Sequence, residues 1–352
     1  MREYLPTVAG NAALRARLGA ELASGAFSHA YILEGPAGCG KHTLARAIVM
    51  ALACEHRTDG AVPLPCGTCP TCRKIAEGNC PDVLTVSREE DKATMGVDVI
   101  RAVRSDVAVL PNDLDVKIYV IEDAHTMTEQ AQNALLLTLE EPPAFVLFLL
   151  LAERADVLLE TIRSRAPVIR MQPVPEQELS AWLLSPQRPT VSRAAKAIKE
   201  ANGAEYTALL RMSNGRIGRA VELLEEKKRA PMLARRHEVT QLCELLADGT
   251  RPDALLMLLL SFGKMREEIV ARLMLMQEAL RDLMALGCTE DAPLIFFTER
   301  ERAADLSAAF TASTLLSHIH ATQAALTALS ANANTRLVLT QYLCRLTQAD
   351  GV

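Results

Sequence analysis

No apolar run in this chain reaches the roughly 18 residues needed to cross a bilayer, and the opening Met1-Arg2-Glu3-Tyr4-Leu5-Pro6 lacks the basic and apolar blocks of a signal peptide. A cytoplasmic location without a membrane partner is the expectation. Net positive charge is missing too: 38 Lys and Arg stand against 43 Asp and Glu, a formal net charge of -5. That excludes the global basic field of an autonomous DNA binder, so nucleic acid would be met by a local patch or through partners. Neither a fixed-period repeat nor a low-complexity tract occurs. In a reducing compartment the nine cysteines are not expected to pair as disulfides. A tight cluster of them points instead to a metal.

What is present is an ordinary globular composition, 49% hydrophobic and 23% charged, over 352 residues. That length predicts two or three domains. The most informative stretch is Gly35-Pro36-Ala37-Gly38-Cys39-Gly40-Lys41-His42-Thr43. Gly35, Gly38, Gly40 and Lys41 fit a phosphate-binding loop, in which backbone N–H groups cradle phosphates and the lysine reaches the outer ones. The next position normally carries the Ser or Thr hydroxyl that holds Mg²⁺, and here it is His42. An imidazole is a poor ligand for a hard cation that prefers oxygen. Thr43 could take the metal role only if the loop changed register. The loop therefore predicts a nucleotide fold, with ATP or ADP as the candidate ligand and hydrolysis in doubt.

Context supports the fold. Ala30–Glu34 is a buried-strand pattern before the loop, and Leu44, Ala47, Ile48, Ala51 and Leu52 recur at helical spacing after it. Further strand-like runs occur at 83–86, 116–121, 145–151 and 167–171, the middle two apolar almost throughout, as strands covered on both faces must be. Helical patterns separate them, so the fold class is α/β with a parallel P-loop sheet. After Gln172-Pro173-Val174-Pro175 strand patterns disappear and helical segments rich in Ala and Leu fill the chain. The expected domains are 1–173 for the nucleotide fold, 174–229 for a small helical domain ending at the charged run 225–229, and 230–352 for a helical bundle.

Cys66-x-x-Cys69-x-x-Cys72 lies in a loop rich in Pro, Gly and Thr, and Cys54 closes the helix after the phosphate loop. Four thiolates there would form a closed tetrahedral Zn²⁺ site, structural because no position stays open for water. Cys80 competes with Cys54 as fourth ligand. Cys39, Cys243, Cys288 and Cys344 read as ordinary small residues. The strand at 118–121 ends in Glu122-Asp123, where a P-loop ATPase places the carboxylates that steady Mg²⁺ and activate water. Here the Asp-Glu order is inverted, which moves each carboxylate by the length of a methylene.

These features, with Ser24 to Tyr31, Asn133-Ala134-Leu135-Leu136-Leu137-Thr138-Leu139-Glu140-Glu141-Pro142-Pro143 and Thr161-Ile162-Arg163-Ser164-Arg165-Ala166, occur in an order that resembles bacterial DNA polymerase III clamp-loader subunits, and among them the delta-prime type. The motifs cover about the first 220 residues. The resemblance implies an AAA+ module, a small helical lid domain and an all-α collar domain that oligomerises with gamma or tau and delta subunits. Such a pentamer uses ATP to place a sliding clamp on primed DNA. It also implies that Arg165, in Ser164-Arg165-Ala166, acts as an arginine finger on a neighbour's ATP; Ala166 stands where the family has cysteine. Motor subunits carry a lid arginine where this chain has Gly218, although Arg216 and Arg219 are close by in sequence. His42, Glu122-Asp123 and Gly218 together favour a stator with little or no ATPase activity over a gamma/tau-type motor. A free-standing P-loop NTPase and a zinc-dependent DNA-binding protein are the readings from other classes.

Overall fold

The computed structural model of the chain describes residues 2–89, 92–249, 252–262 and 265–348. Its packing divides into two compact units, one of 1–182 with 215–219 and one of 183–214 with 220–352.

In the first unit, helix α1 (Ala12–Ser24) precedes strand β1 (Ala30–Glu34), and the phosphate loop leads into α2 (Lys41–Leu52). Then come α3 (Pro70–Ala76), β2 (Val83–Val86), α4 (Val97–Asp106), β3 (Lys117–Ile121), α5 (Glu129–Glu140), β4 (Val146–Ala152), the short α6 (Glu160–Arg163), β5 (Val168–Arg170) and α7 (Glu176–Leu183). All five strands lie within a residue or two of the apolar runs read from the sequence. They form one parallel sheet in the order β2-β3-β4-β1-β5. Every residue of β3 and β4 is buried, which is why neither run shows a polar alternation.

The pleat divides those runs between two cores. Tyr31, Leu33, Ile118, Val120, Leu147 and Leu149 face Ala47, Ile48 and Ala51 of α2. Ile32, Tyr119, Ile121, Phe148 and Leu150 face Ile100 and Val103 of α4 and Leu135 and Leu139 of α5. Register at the β2–β3 edge is pinned by Asp82, a fully buried carboxylate. It accepts the backbone N–H groups of Asn112, Asp113 and Leu114 at 2.6 to 2.8 Å. Burial pushes the Asp82 carboxyl up, but the three N–H donors outweigh it and hold it below the ordinary carboxylate range.

The second unit is helical: α8 (Pro189–Ala201), α9 (Gly203–Met212), α10 (Ile217–Leu223), α11 (Glu226–Asp248), α12 (Pro252–Ser261), α13 (Arg266–Cys288), α14 (Arg300–Ala308), α15 (Ala312–Ser330) and α16 (Thr335–Gln348). The start of α10, through Arg219, packs with the first unit. Side chains cap α9 and α15, where Asn202 and Thr311 accept the N–H groups of Glu205 and Thr314. Helix α13 is central, burying Leu273, Met276, Leu280 and Leu283 against α11, α14 and α15. The charged run expected to end a domain at 229 is instead the first turn of α11. Arg229 is buried there, bonded to Glu205 at 2.5 Å and to the carbonyls of Leu223 and Leu224. A guanidinium with three partners can be buried where a free one could not, so the helix runs through the position where the sequence suggests a break.

Candidate functional site

The carboxyl edge of a parallel sheet is where strands hand over to loops, and β1 and β3 deliver the two halves of the candidate site there. Gly38 and Gly40 hold φ of 77° and 105°, left-handed values that glycine adopts without strain and that curl the loop. A Cβ at Gly35 would come within 2.7 Å of the Cys39 sulfur, so that position is closed to larger residues. Lys41 is buried, and its ammonium donates to the carbonyls of Gly35 at 2.6 Å and Pro36 at 3.2 Å. Thr43 is exposed on the first turn of α2.

The two acidic residues after β3 part company. Glu122 turns to the loop, its Oε1 3.1 Å from Nδ1 of His42. Asp123, in a left-handed backbone conformation with φ 46°, turns its carboxylate toward Arg88 at 3.9 Å. The loop thus carries an imidazole–carboxylate pair next to its lysine. On the other side of the loop, the Gly218 backbone N–H donates to the Gly38 carbonyl at 2.8 Å. A Cβ at 218 would sit 3.0 Å from the Gly38 Cα. Only glycine gives so close an approach of two backbones.

Arg165 lies away from this loop, just after α6. Its Nη2 is 2.9 Å from Oε1 of Glu140, the last residue of α5, and its Nη1 donates to the Thr161 carbonyl at 3.0 Å. The guanidinium remains about one-third exposed. Gln132 sets the geometry between α5 and α6: its side chain donates to the Met127 carbonyl and accepts the Leu159 N–H at 2.8 Å. Ala166 is fully buried in the core beneath. The departure from cysteine is therefore a small apolar residue in a packing position, where a free cysteine behaves much the same. Sequence reasoning did not single out Gln132 or Glu140, although Glu140 stands in the motif that carried the resemblance.

The sulfurs of Cys54, Cys66, Cys69 and Cys72 all lie within 4.8 Å of one another, and Cys80 is outside that group. Tetrahedral Zn–S bonds of about 2.3 Å would place sulfurs about 3.8 Å apart; Cys66 and Cys72 are separated by 3.9 Å. Backbone N–H groups of Thr68 and Cys69 point at the Cys66 sulfur, and that of Cys72 at the Cys69 sulfur. Partial burial pushes the Cys66 thiol up, yet these donors bring it down to about 6. Burial pushes Cys54 and Cys72 up. The donor set fits a structural zinc, with thiolates steadied by backbone N–H groups. Arg2 supports this loop from the chain's start, donating to the carbonyls of His56, Arg57 and Val62.

Among known proteins, the family model described as DNA polymerase III, delta subunit, matches residues 10–175. The chain is 32% identical to the DNA polymerase III subunit delta' of Escherichia coli (strain K12), over 59% of this chain and 58% of that one. Residues 10–175 thus resemble DNA polymerase III clamp-loader subunits. The chain is also 38% identical to the DNA polymerase III subunit tau of Bacillus subtilis (strain 168), over 40% of this chain and 24% of that one. A further relative is the DNA polymerase III subunit gamma/tau of Mycobacterium tuberculosis (strain ATCC 25618 / H37Rv), 32% identical over 52% of this chain and 32% of the other. The chain therefore spans between about a quarter and three-fifths of the lengths of those three relatives. Among solved structures it is similar to a DNA polymerase III gamma subunit-related protein of Thermotoga maritima, with a TM-score of 0.36, 18% identity and 94% and 98% of the two chains covered. Among the described residues, no helix is long and apolar enough to cross a membrane.

Proposed function

We propose that this chain is a DNA polymerase III clamp-loader subunit that works as a stator of the delta-prime kind: it completes a neighbouring subunit's ATP site with Arg165 and hydrolyses little or no ATP at its own loop. The observation that carries this reading is the contrast between its two candidate phosphate-binding features. At the phosphate loop, His42 pairs with Glu122, and Gly218, which the resemblance sets against a motor's lid arginine, packs its backbone on Gly38. All three departures remove a group that would handle Mg²⁺ or phosphate charge. Arg165, by contrast, keeps a guanidinium about one-third exposed beside a short helix whose placement Gln132 supports.

In this reading the partners are gamma or tau and delta subunits, the sliding clamp and primed DNA, met through a hetero-oligomer in the cytoplasm. The helices from α7 to α10 serve as lid and those from α11 onward as collar. The four cysteines hold one structural Zn²⁺, which locks the loop between α2 and α3. Its chemistry is confined to cross-linking that loop, because a four-thiolate site leaves no open position.

The deciding experiment reconstitutes the full chain with ATP-hydrolysing clamp-loader subunits and clamp, and measures DNA-stimulated ATP turnover. Arg165→Ala should leave assembly intact and slow hydrolysis at the site it completes by about a thousandfold, the lower end for an arginine finger. Unchanged single-site turnover would overturn the arginine assignment. Steady turnover by the isolated chain would favour the motor reading.

A further inference from the structure

We propose that Glu140 is a latch for Arg165: its carboxylate parks the guanidinium on its own subunit, and the neighbour's nucleotide phosphates release it by taking the carboxylate's place. The inference rests on the arginine-finger reading and adds a restraint to it.

The geometry has three parts. Arg165 is held most closely at two points, by the Glu140 carboxylate on one terminal nitrogen and the Thr161 carbonyl on the other, with the Ser164 hydroxyl 3.5 Å from the second. Of these, only Glu140 carries charge. Both ion-pair partners remain more than a third exposed, so the bond is made in water and is weak and readily exchanged. A polyphosphate oxygen offers the same guanidinium a stronger, charge-assisted and bidentate partner, so the exchange runs toward phosphate once a loaded neighbour is docked. Finally, the two holding groups sit on different elements: Thr161 on α6, which moves with Arg165, and Glu140 at the end of α5. Breaking the Glu140 bond frees the side chain to swing while the Thr161 carbonyl still limits its range. Leu137, one turn before Glu140, is 54% exposed, so the surface over which the swing occurs is open.

The latch predicts an effect on engagement and none on the chemical step. A parked, neutralised arginine lowers the affinity of the chain for an ATP-loaded neighbour; an unparked one raises it. Glu140→Gln keeps the shape and removes the charge. With the full chain titrated into ATP-hydrolysing subunits, the variant should reach half-maximal stimulation of turnover at a concentration about two- to fivefold lower, the range that loss of an exposed ion pair corresponds to. The plateau should stay where it is. In an Arg165→Ala background the same substitution should shift nothing, because the coupling runs through the arginine.

An unshifted half-maximal concentration, a lowered plateau, or a shift that survives Arg165→Ala would each overturn the latch. The two readings separate cleanly. If Arg165→Ala does not slow turnover, the arginine finger itself falls and the latch with it. If Arg165→Ala slows turnover and Glu140→Gln changes nothing, the finger stands and the latch alone is wrong.

Discussion

The backbone N–H of Gly218 donates to the carbonyl of Gly38 at 2.8 Å, so the first turn of α10 lies directly against the phosphate loop with no side chain between. Two opposed effects bear on Gly218→Ala. Alanine within a helix gains about 0.5–1 kcal/mol over glycine. Its methyl would meet the Gly38 backbone at 3.0 Å, and overpacking of that kind costs about 1–3 kcal/mol. The packing term should win, giving a net loss of about 1 kcal/mol in urea unfolding. Gly218→Arg should lower stability further and restore no ATPase activity to the isolated chain; measurable turnover in that variant would show that Gly218 alone separates this chain from a motor.

Lys41 spends two of its three N–H donors locally, on the Gly35 and Pro36 carbonyls. Lys41→Ala leaves the buried Gly35 carbonyl short of a partner, a loss of about 1–3 kcal/mol in stability. The expected signature is a lower melting temperature together with normal turnover per assembled complex. Collapse of turnover in correctly assembled complexes would mean that this loop, and not only the neighbour's, drives loading.

Metal analysis of freshly purified, reduced chain should find one Zn²⁺ per molecule. Cys66→Ser should lose it and Cys80→Ser should keep it, since Cys80 lies outside the four-sulfur group. Uptake by metal-free chain should release protons, because burial holds Cys54 and Cys72 protonated at neutral pH. Affinity should therefore fall as the medium is acidified, most steeply once Cys66 too protonates near pH 6. Retention of zinc by Cys66→Ser together with its loss from Cys80→Ser would reassign the site.

Asp82 links β2 to the turn that feeds β3, and its carboxyl lies below the ordinary range in the folded chain. A depressed folded value means that the folded state favours the ionised form. This stabilisation is complete above the unfolded value of about 4 and disappears as pH drops through the lower folded one. Wild type should accordingly lose more stability than Asp82→Asn between about pH 5 and pH 3. At neutral pH the variant should be less stable by about 1–3 kcal/mol, since one carbonyl oxygen cannot serve all three N–H groups. Parallel pH profiles for the two proteins in urea unfolding would remove Asp82 from this role.

Local features were legible in the amino-acid order for a plain reason. Strand runs such as 117–121 and 146–152 are buried on both faces, and a double burial writes itself as uninterrupted apolar sequence. The glycines of the phosphate loop and the spacing of Cys66, Cys69 and Cys72 are likewise set by backbone geometry over a few residues. The boundary at 229 was not legible, because a charged run ordinarily signals a solvated break. Only the folded chain supplies Glu205 and the Leu223 and Leu224 carbonyls that bury Arg229 inside a continuous helix.

The sequence by itself determined the parallel sheet, the position of the loop, the altered residue after its lysine, and the family that the motifs resemble. Tertiary structure decided which groups answer one another: Cys54 rather than Cys80 beside the other three thiols, Glu122 toward His42 while Asp123 turns to Arg88, Gly218 against Gly38, and Glu140 on Arg165. Apolar periodicity and turn chemistry act over a handful of neighbouring residues and leave a direct trace in the order of amino acids. A contact between side chains from distant segments depends on how helices dock and which way each loop leaves the sheet, and docking is settled by the packing of the whole core.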